Sequence, residues 1–127
     1  MKIAVATRRF TTIASHAGKT RDWLLFDARP GEELPEPRRI TLNREQVLHD
    51  FDDQAAHPLD ETDVLLASGA GDGFVRHMKK RGTQVRLTGE TDPATAARKV
   101  LNGQQLAEKG FDPVLLLCKV RDLFSRH

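Results

Sequence analysis

VLLASGAGDGFVRHMKKRGTQVRLT, residues 64–88, contains a whole strand–turn–helix–strand unit. Residues 64–68 form a short apolar run without charge, as expected of a strand covered on both faces. The turn Gly69-Ala70-Gly71-Asp72-Gly73 lets backbone N–H groups approach a ligand with no Cβ in the way. The spacing predicts a helix behind it, with Lys79, Lys80 and Arg81 in the last turn and Gly82 at the position past its C-cap. The unpaired N–H groups and the positive dipole end of that helix face the glycine turn, a geometry that suits an anion. Residues 84–88 read as the next strand. A helix lies between the two strands, so they run parallel.

Upstream of this unit, residues 2–7 (KIAVAT) are mostly apolar and β-branched and read as a central strand. The segment 8–21 is too polar and too rich in small residues to continue it, and reads as a flexible loop. Residues 23–28 (WLLFDA) form another strand, close enough in sequence to pair antiparallel with the first. Three prolines, a glycine and three glutamates mark 29–38 as a loop. Residues 39–42 suit an edge strand with arginines toward water. Asn43 is placed to cap a helix over 44–53, with Val47, Leu48 and Phe51 at helical spacing, and His57-Pro58 ends that region.

Downstream, Thr91-Asp92-Pro93 is a helix start, with a capping side chain before a proline at the first helical position. Ala94, Ala97, Val100 and Leu101 share one face, and Gly103 ends the element. Asp112-Pro113 repeats the start for a last helix over 114–125. Its apolar residues (Val114, Leu115, Leu117, Cys118, Val120, Leu123, Phe124) cover more than one face, which implies deep packing or a homodimer contact.

The 127 residues fit one domain, with 39% hydrophobic and 30% charged content. We divide it into an α/β body over 1–110 and a C-terminal helix over 111–127. The net charge of +2 gives no argument for nucleic acid by itself. A single cysteine forms no internal disulfide and fits a reducing cytoplasm. No apolar run reaches the ~20 residues that span a membrane, and MKIAVATRRF lacks the apolar region of a signal peptide. Alternating strands and helices define an α/β layered domain. Ligands in such sheets bind beyond the carboxyl ends of parallel strands. The loops 8–21 and 69–73 qualify, and open on one cleft if their strands are neighbours.

The strand KIAVAT, then Ser15-His16-Ala17-Gly18 before Trp23-Leu24-Leu25-Phe26-Asp27, then LLASGAGDGF, RGTQV and ETDPATAARKVLNG, together resemble the nitrogenase accessory-factor family. These are the dinitrogenase iron–molybdenum cofactor biosynthesis proteins. The resemblance runs from residue 1 to about residue 103. It implies a ribonuclease H-like motif in a three-layer α/β/α domain. The mixed five-stranded sheet would have order 3-2-1-4-5, with strand 2 antiparallel, and the C-terminal helix would be an addition. It also implies binding and handing on of iron–molybdenum cofactor, or an iron–sulfur precursor, without catalytic turnover. Partners would be nitrogenase assembly proteins or other metal-cluster proteins. The family motif reads close to Ser-x-His-Phe-Gly. His16 and Gly18 keep it, and Ala17 replaces the phenylalanine.

The chemistry of the residues agrees with such a cargo. A metal–sulfur cluster is anionic, with iron sites that accept imidazole nitrogen. His16 is the first candidate ligand. Arg8, Arg9, Lys19 and Arg21 surround it in sequence with positive charge, and the amides of Gly69, Gly71 and Gly73 offer hydrogen bonds. Asp72 opposes a strongly anionic guest unless it points outward. His57 is the second candidate metal ligand; its alternative is a turn residue that holds a backbone carbonyl. His49, His77 and His127 read as solvated, and Cys118 as a buried thiol. Three other readings remain open. GAGDG, with Glu90 and Asp92 downstream, resembles a dinucleotide fingerprint, but its third glycine comes one position early. A nuclease needs clustered carboxylates for metal ions, and the first strand supplies none. A cofactor-free interaction or regulatory domain of the same fold is the third.

Overall fold

The computed structural model describes residues 1–47 and 57–106. The strands are β1 (Lys2–Arg8), β2 (Thr12–Ile13), β3 (Asp22–Asp27), β4 (Arg38–Thr41), β5 (Val64–Ala67) and β6 (Gln84–Leu87), and the helices α1 (Asp72–Lys80) and α2 (Pro93–Leu101). The sheet runs β4-β3-β1-β5-β6, and β2 folds back onto the end of β1. β3 is antiparallel to both its neighbours, whereas β1–β5 and β5–β6 pair parallel. The fold is therefore α/β with a mixed sheet, and β1 lies in its middle.

Alternation along β1 sorts the core into two layers. Ile3 and Val5 face one side, with Leu24, Phe26, Val64 and Leu66, and are covered by Ala96, Ala97, Val100 and Leu101 of α2. Ala4 and Ala6 face the other side, with Trp23, Leu25, Leu65 and Ala67, under Met78 of α1. Small residues of β1 thus lie on the α1 side and branched ones on the α2 side.

The caps follow the sequence signals. Asp92 accepts the Thr95 N–H at 2.9 Å, with Pro93 opening α2. Both helices end on a glycine in the left-handed region, Gly82 (φ 84°) and Gly103 (φ 69°). The Thr83 N–H reaches the Met78 carbonyl at 3.0 Å, and the Gln104 N–H reaches the Lys99 carbonyl at 2.7 Å. These are the long closing bonds of a Schellman end.

Two expectations are corrected. The segment after β1 contains a sixth strand, β2. The turn joining it to β1 holds Arg9 (φ 52°) and Phe10 (φ 63°) left-handed, where the usual signal is Asn-Gly. The helix expected over 44–53 is, as far as residue 47, a single 3-10 turn, Arg44–Gln46, and Val47 is extended (φ −60°, ψ 126°). The remainder of that helix, with Leu48, His49 and Phe51, lies outside the described residues. So does the C-terminal helix, with Cys118 and His127.

Candidate functional site

The carboxyl ends of β1, β4 and β5 share one rim of the sheet, and the two expected loops meet there. The Ala17 N–H donates to the Gly69 carbonyl at 3.3 Å, and the Ser68 N–H to the Ala14 carbonyl at 2.9 Å. The Ala14 N–H donates to Ala6 at 2.8 Å, and the Ile13 N–H to Thr91 at 2.9 Å. Ile13, Ala14, Ala17 and Thr20 are buried. The segment expected as a flexible loop is therefore strapped to both parallel strands.

His16 starts a 3-10 turn, Ala17–Lys19, and its carbonyl accepts the Lys19 N–H (3.0 Å) and the Thr20 hydroxyl (2.8 Å). Those bonds fix the backbone, while the residue itself is exposed at the rim. Gly18 is half-buried in the same turn. Ala17 is wholly inaccessible and clusters with Trp23, Leu25 and Leu42. Ala17, where the motif of the resembled family has phenylalanine, is thus a core position.

Opposite His16, Gly69 is buried and supplies its carbonyl. Gly71 caps α1 with ordinary backbone angles (φ −75°, ψ 156°). A Cβ at Gly71 or Gly73 would meet nothing within 4 Å. These glycines therefore relieve no strain; they leave the α1 amides uncovered. Asp72 lies exposed in the first turn, where it complements the helix dipole and competes with an anionic guest.

The cations gather on the same rim. Arg8, Arg9, Lys19 and Arg21 are all exposed. Arg8 reaches the Ser15 hydroxyl at 3.5 Å, and the Arg21 Nε–H donates to the Leu42 carbonyl at 2.9 Å. Sequence reasoning missed Arg39, whose guanidinium lies 5.1 Å from the centre of the Phe10 ring. That contact depends on the β3–β4 register, which carries no local signal.

His57 does not belong with this set. It is 7% exposed and lies with Leu59, Asp60, Met78, Arg81 and Thr83 at the C-terminal end of α1. The nine residues of α1, ~13 Å of helix, separate it from the glycine turn. Both its ring nitrogens are engaged. Nδ1 accepts the Leu59 N–H at 3.0 Å, so the proton sits on Nε2, which donates to the Gln46 carbonyl at 2.6 Å. Burial pushes its pKa below that of free imidazole, and the Arg81 charge adds to this. The bond to Gln46 and the nearby Asp60 act in the opposite sense. These bonds match the alternative expected for His57, a turn residue that holds a backbone carbonyl, and the ring pins two backbone segments.

Among the described residues no three His, Cys, Asp or Glu side chains come together as a metal-binding group. A groove of about 560 Å³ lies at the far end of α2, lined by Glu32, Glu33 and Arg98 among others. None of the candidate residues lines it. No helix of the described residues is long and apolar enough to cross a membrane.

No family model matches the chain, and no curated protein matches it. Among solved structures it is similar to the protein described as "Crystal structure of PH0822". The two share 16% identity over 84% of this chain and 96% of that one, with a TM-score of 0.62. At that identity the likeness shows a shared α/β fold and nothing of the activity.

Proposed function

We propose that this chain is a ribonuclease H-like carrier domain of the nitrogenase accessory-factor type. It binds iron–molybdenum cofactor or a related iron–sulfur cluster as cargo and hands it on without turnover. The strand order β4-β3-β1-β5-β6, with β3 reversed, supports the fold part of this reading. The observation that carries the function part is the Ala17–Gly69 hydrogen bond, which joins the His16 turn to the loop leading into α1. One imidazole, several amides and flanking cations suit a cargo that must leave again. Several thiolates would hold it too firmly. In this reading His16 ligates an iron site, Gly71 and Gly73 donate hydrogen bonds, and Arg8, Arg9, Lys19 and Arg21 balance the charge.

The test is anaerobic titration with an iron–sulfur precursor, then gel filtration and metal analysis. The wild-type protein retains iron and gains visible absorption, whereas His16→Ala loses most of both. Equal retention by the two proteins would remove His16 from the site. No retention by the wild type would favour a cofactor-free interaction domain of the same fold.

A further inference from the structure

Two acid-free stretches, 8–21 (RRFTTIASHAGKTR) and 38–44 (RRITLNR), lie at the rim; a further one, 73–89, carries five cations along α1 and β6. Together the two rim stretches hold seven of the 20 cationic side chains and none of the 18 acidic ones. The remainder has 13 cations against 18 acids, so the rim stretches count +7 and the rest of the chain −5. The fold joins the two rim stretches across β3. Thr7 pairs with Asp22 and Asp22 with Thr41, so Arg8, Arg21 and Leu42 follow one step past the ladder. Arg21 and Leu42 then exchange two hydrogen bonds, at 2.8 and 2.9 Å. Arg8, Arg9, Lys19, Arg21, Arg38, Arg39 and Arg44 are all exposed. Asp22, the acid between the stretches, is half-buried and takes the Thr41 hydroxyl at 3.3 Å.

A second observation concerns the Arg9–Phe10 turn. Left-handed backbone costs a non-glycine residue about 1 kcal/mol or more. The structure keeps two such residues in succession and fixes them from several sides. The Phe10 N–H donates to the Thr7 hydroxyl at 3.0 Å, the Thr11 N–H to the Arg8 carbonyl at 3.0 Å, and Arg39 covers the ring. The strained turn places Arg9 at the tip and locks Arg39 of β4 to it.

We infer that this cationic face docks an acidic protein surface, that of the partner which delivers or receives the rim's cargo. The delivery role rests on the proposed carrier function; the docking does not. A compact acidic surface fits better than a nucleic acid. A duplex carries one charge per ~1.7 Å and runs on past any local patch. Here it would meet a remainder whose charge is negative. The patch also offers no open aromatic ring for base stacking, because Phe10 lies half-buried under Arg39. Separated charge of this kind steers approach and sets orientation.

The experiment measures binding of the full chain to fluorescent polyglutamate and to a fluorescent DNA duplex, at about 50 and 200 mM salt. Polyglutamate binds the wild type at low salt, and Arg39→Glu/Arg44→Glu weakens it about tenfold. Lys79→Glu/Lys80→Glu, on the exposed side of α1, changes it less than about threefold. Arg44→Glu alone keeps the test open should loss of the Phe10 contact unfold the double variant. Neither Arg39 nor Arg44 belongs to the cargo set. Failed docking with intact iron retention, and lost iron in His16→Ala with intact docking, are therefore separate results. Equal loss from the two reversals, no binding of polyglutamate, or tighter binding of DNA would each overturn the docking.

Discussion

Lowering the pH should loosen this fold through His57. The ring is buried and bonded at both nitrogens, its Nε2–H donating to Gln46 and its Nδ1 accepting from Leu59. The His57 N–H in turn donates to Asp60 at 2.8 Å, and Asp60 accepts from Arg81 at 2.6 Å. Protonation would put a second N–H on Nδ1, directly against the Leu59 N–H. The folded pKa therefore lies below the ~6.5 of the unfolded chain, and the unfolded state binds the extra proton first. This contribution to stability is complete above ~6.5 and is lost as pH falls from there through the folded value. His57→Ala removes two hydrogen bonds and leaves two backbone groups in need of partners, at about 1 to 2 kcal/mol each. A total of about 2 to 4 kcal/mol is a large share of a domain's 5–15 kcal/mol. It corresponds to roughly 10 °C in Tm for a chain of this size. Thermal unfolding followed by circular dichroism between pH 8 and pH 5 measures both effects. Wild-type Tm falls between pH 7 and pH 5, and His57→Ala has a lower Tm with a flatter profile. Equal Tm values at pH 8, or parallel profiles, would refute the assignment of the ring.

Gly71→Val leaves the unfolding midpoint within about 0.5 kcal/mol of wild type, because φ is ordinary and the space is open. Its iron retention drops as the α1 amides are covered; a fall in stability with intact retention would reverse the reasoning. Trp23→Ala costs about 3–5 kcal/mol, since the indole is fully buried and donates to the Thr20 carbonyl at 3.0 Å. A urea midpoint close to that of wild type would contradict that placement. Ala17→Phe overpacks a closed core position and costs about 1–3 kcal/mol. Calorimetry checks this, and an unchanged Tm would mean that the position opens to solvent.

The elements that could be read from sequence are those fixed by local chemistry. β1, β3 and β5 are built on the apolar runs 3–6, 23–26 and 64–67, and a run of that kind needs cover on both faces. Asp92-Pro93, Gly82 and Gly103 mark helix ends because few other residues fit those backbone positions. The rim at 8–21 and 69–73 was legible as two loops that each leave the carboxyl end of a strand, and the parallel pairing of β1 with β5 is what brings them together. The details hidden from sequence depend on distant contacts. Nothing in Arg9-Phe10 announces a left-handed turn, and the surroundings impose it through Thr7, Thr11 and Arg39. The helix expected from Asn43 onward breaks at Val47, next to the Gln46 carbonyl that the His57 ring occupies. His57 lies at the wrong end of α1 for the rim, and only the length of that helix decides this.

β3 links what was legible to what was not. Its six residues set Trp23 and Leu25 toward α1, and Leu24 and Phe26 toward α2. The same six residues set the separation between the two acid-free stretches of the rim. Deleting one residue of β3 would turn every later side chain of the strand to the other face. It would also pull Arg21 out of line with Leu42 and carry Arg39 away from Phe10. Core and rim are thus fixed by a single register. The cations assemble on the rim only in a chain whose two core layers are already sorted, and a basic sequence of the same composition without that register would present them scattered.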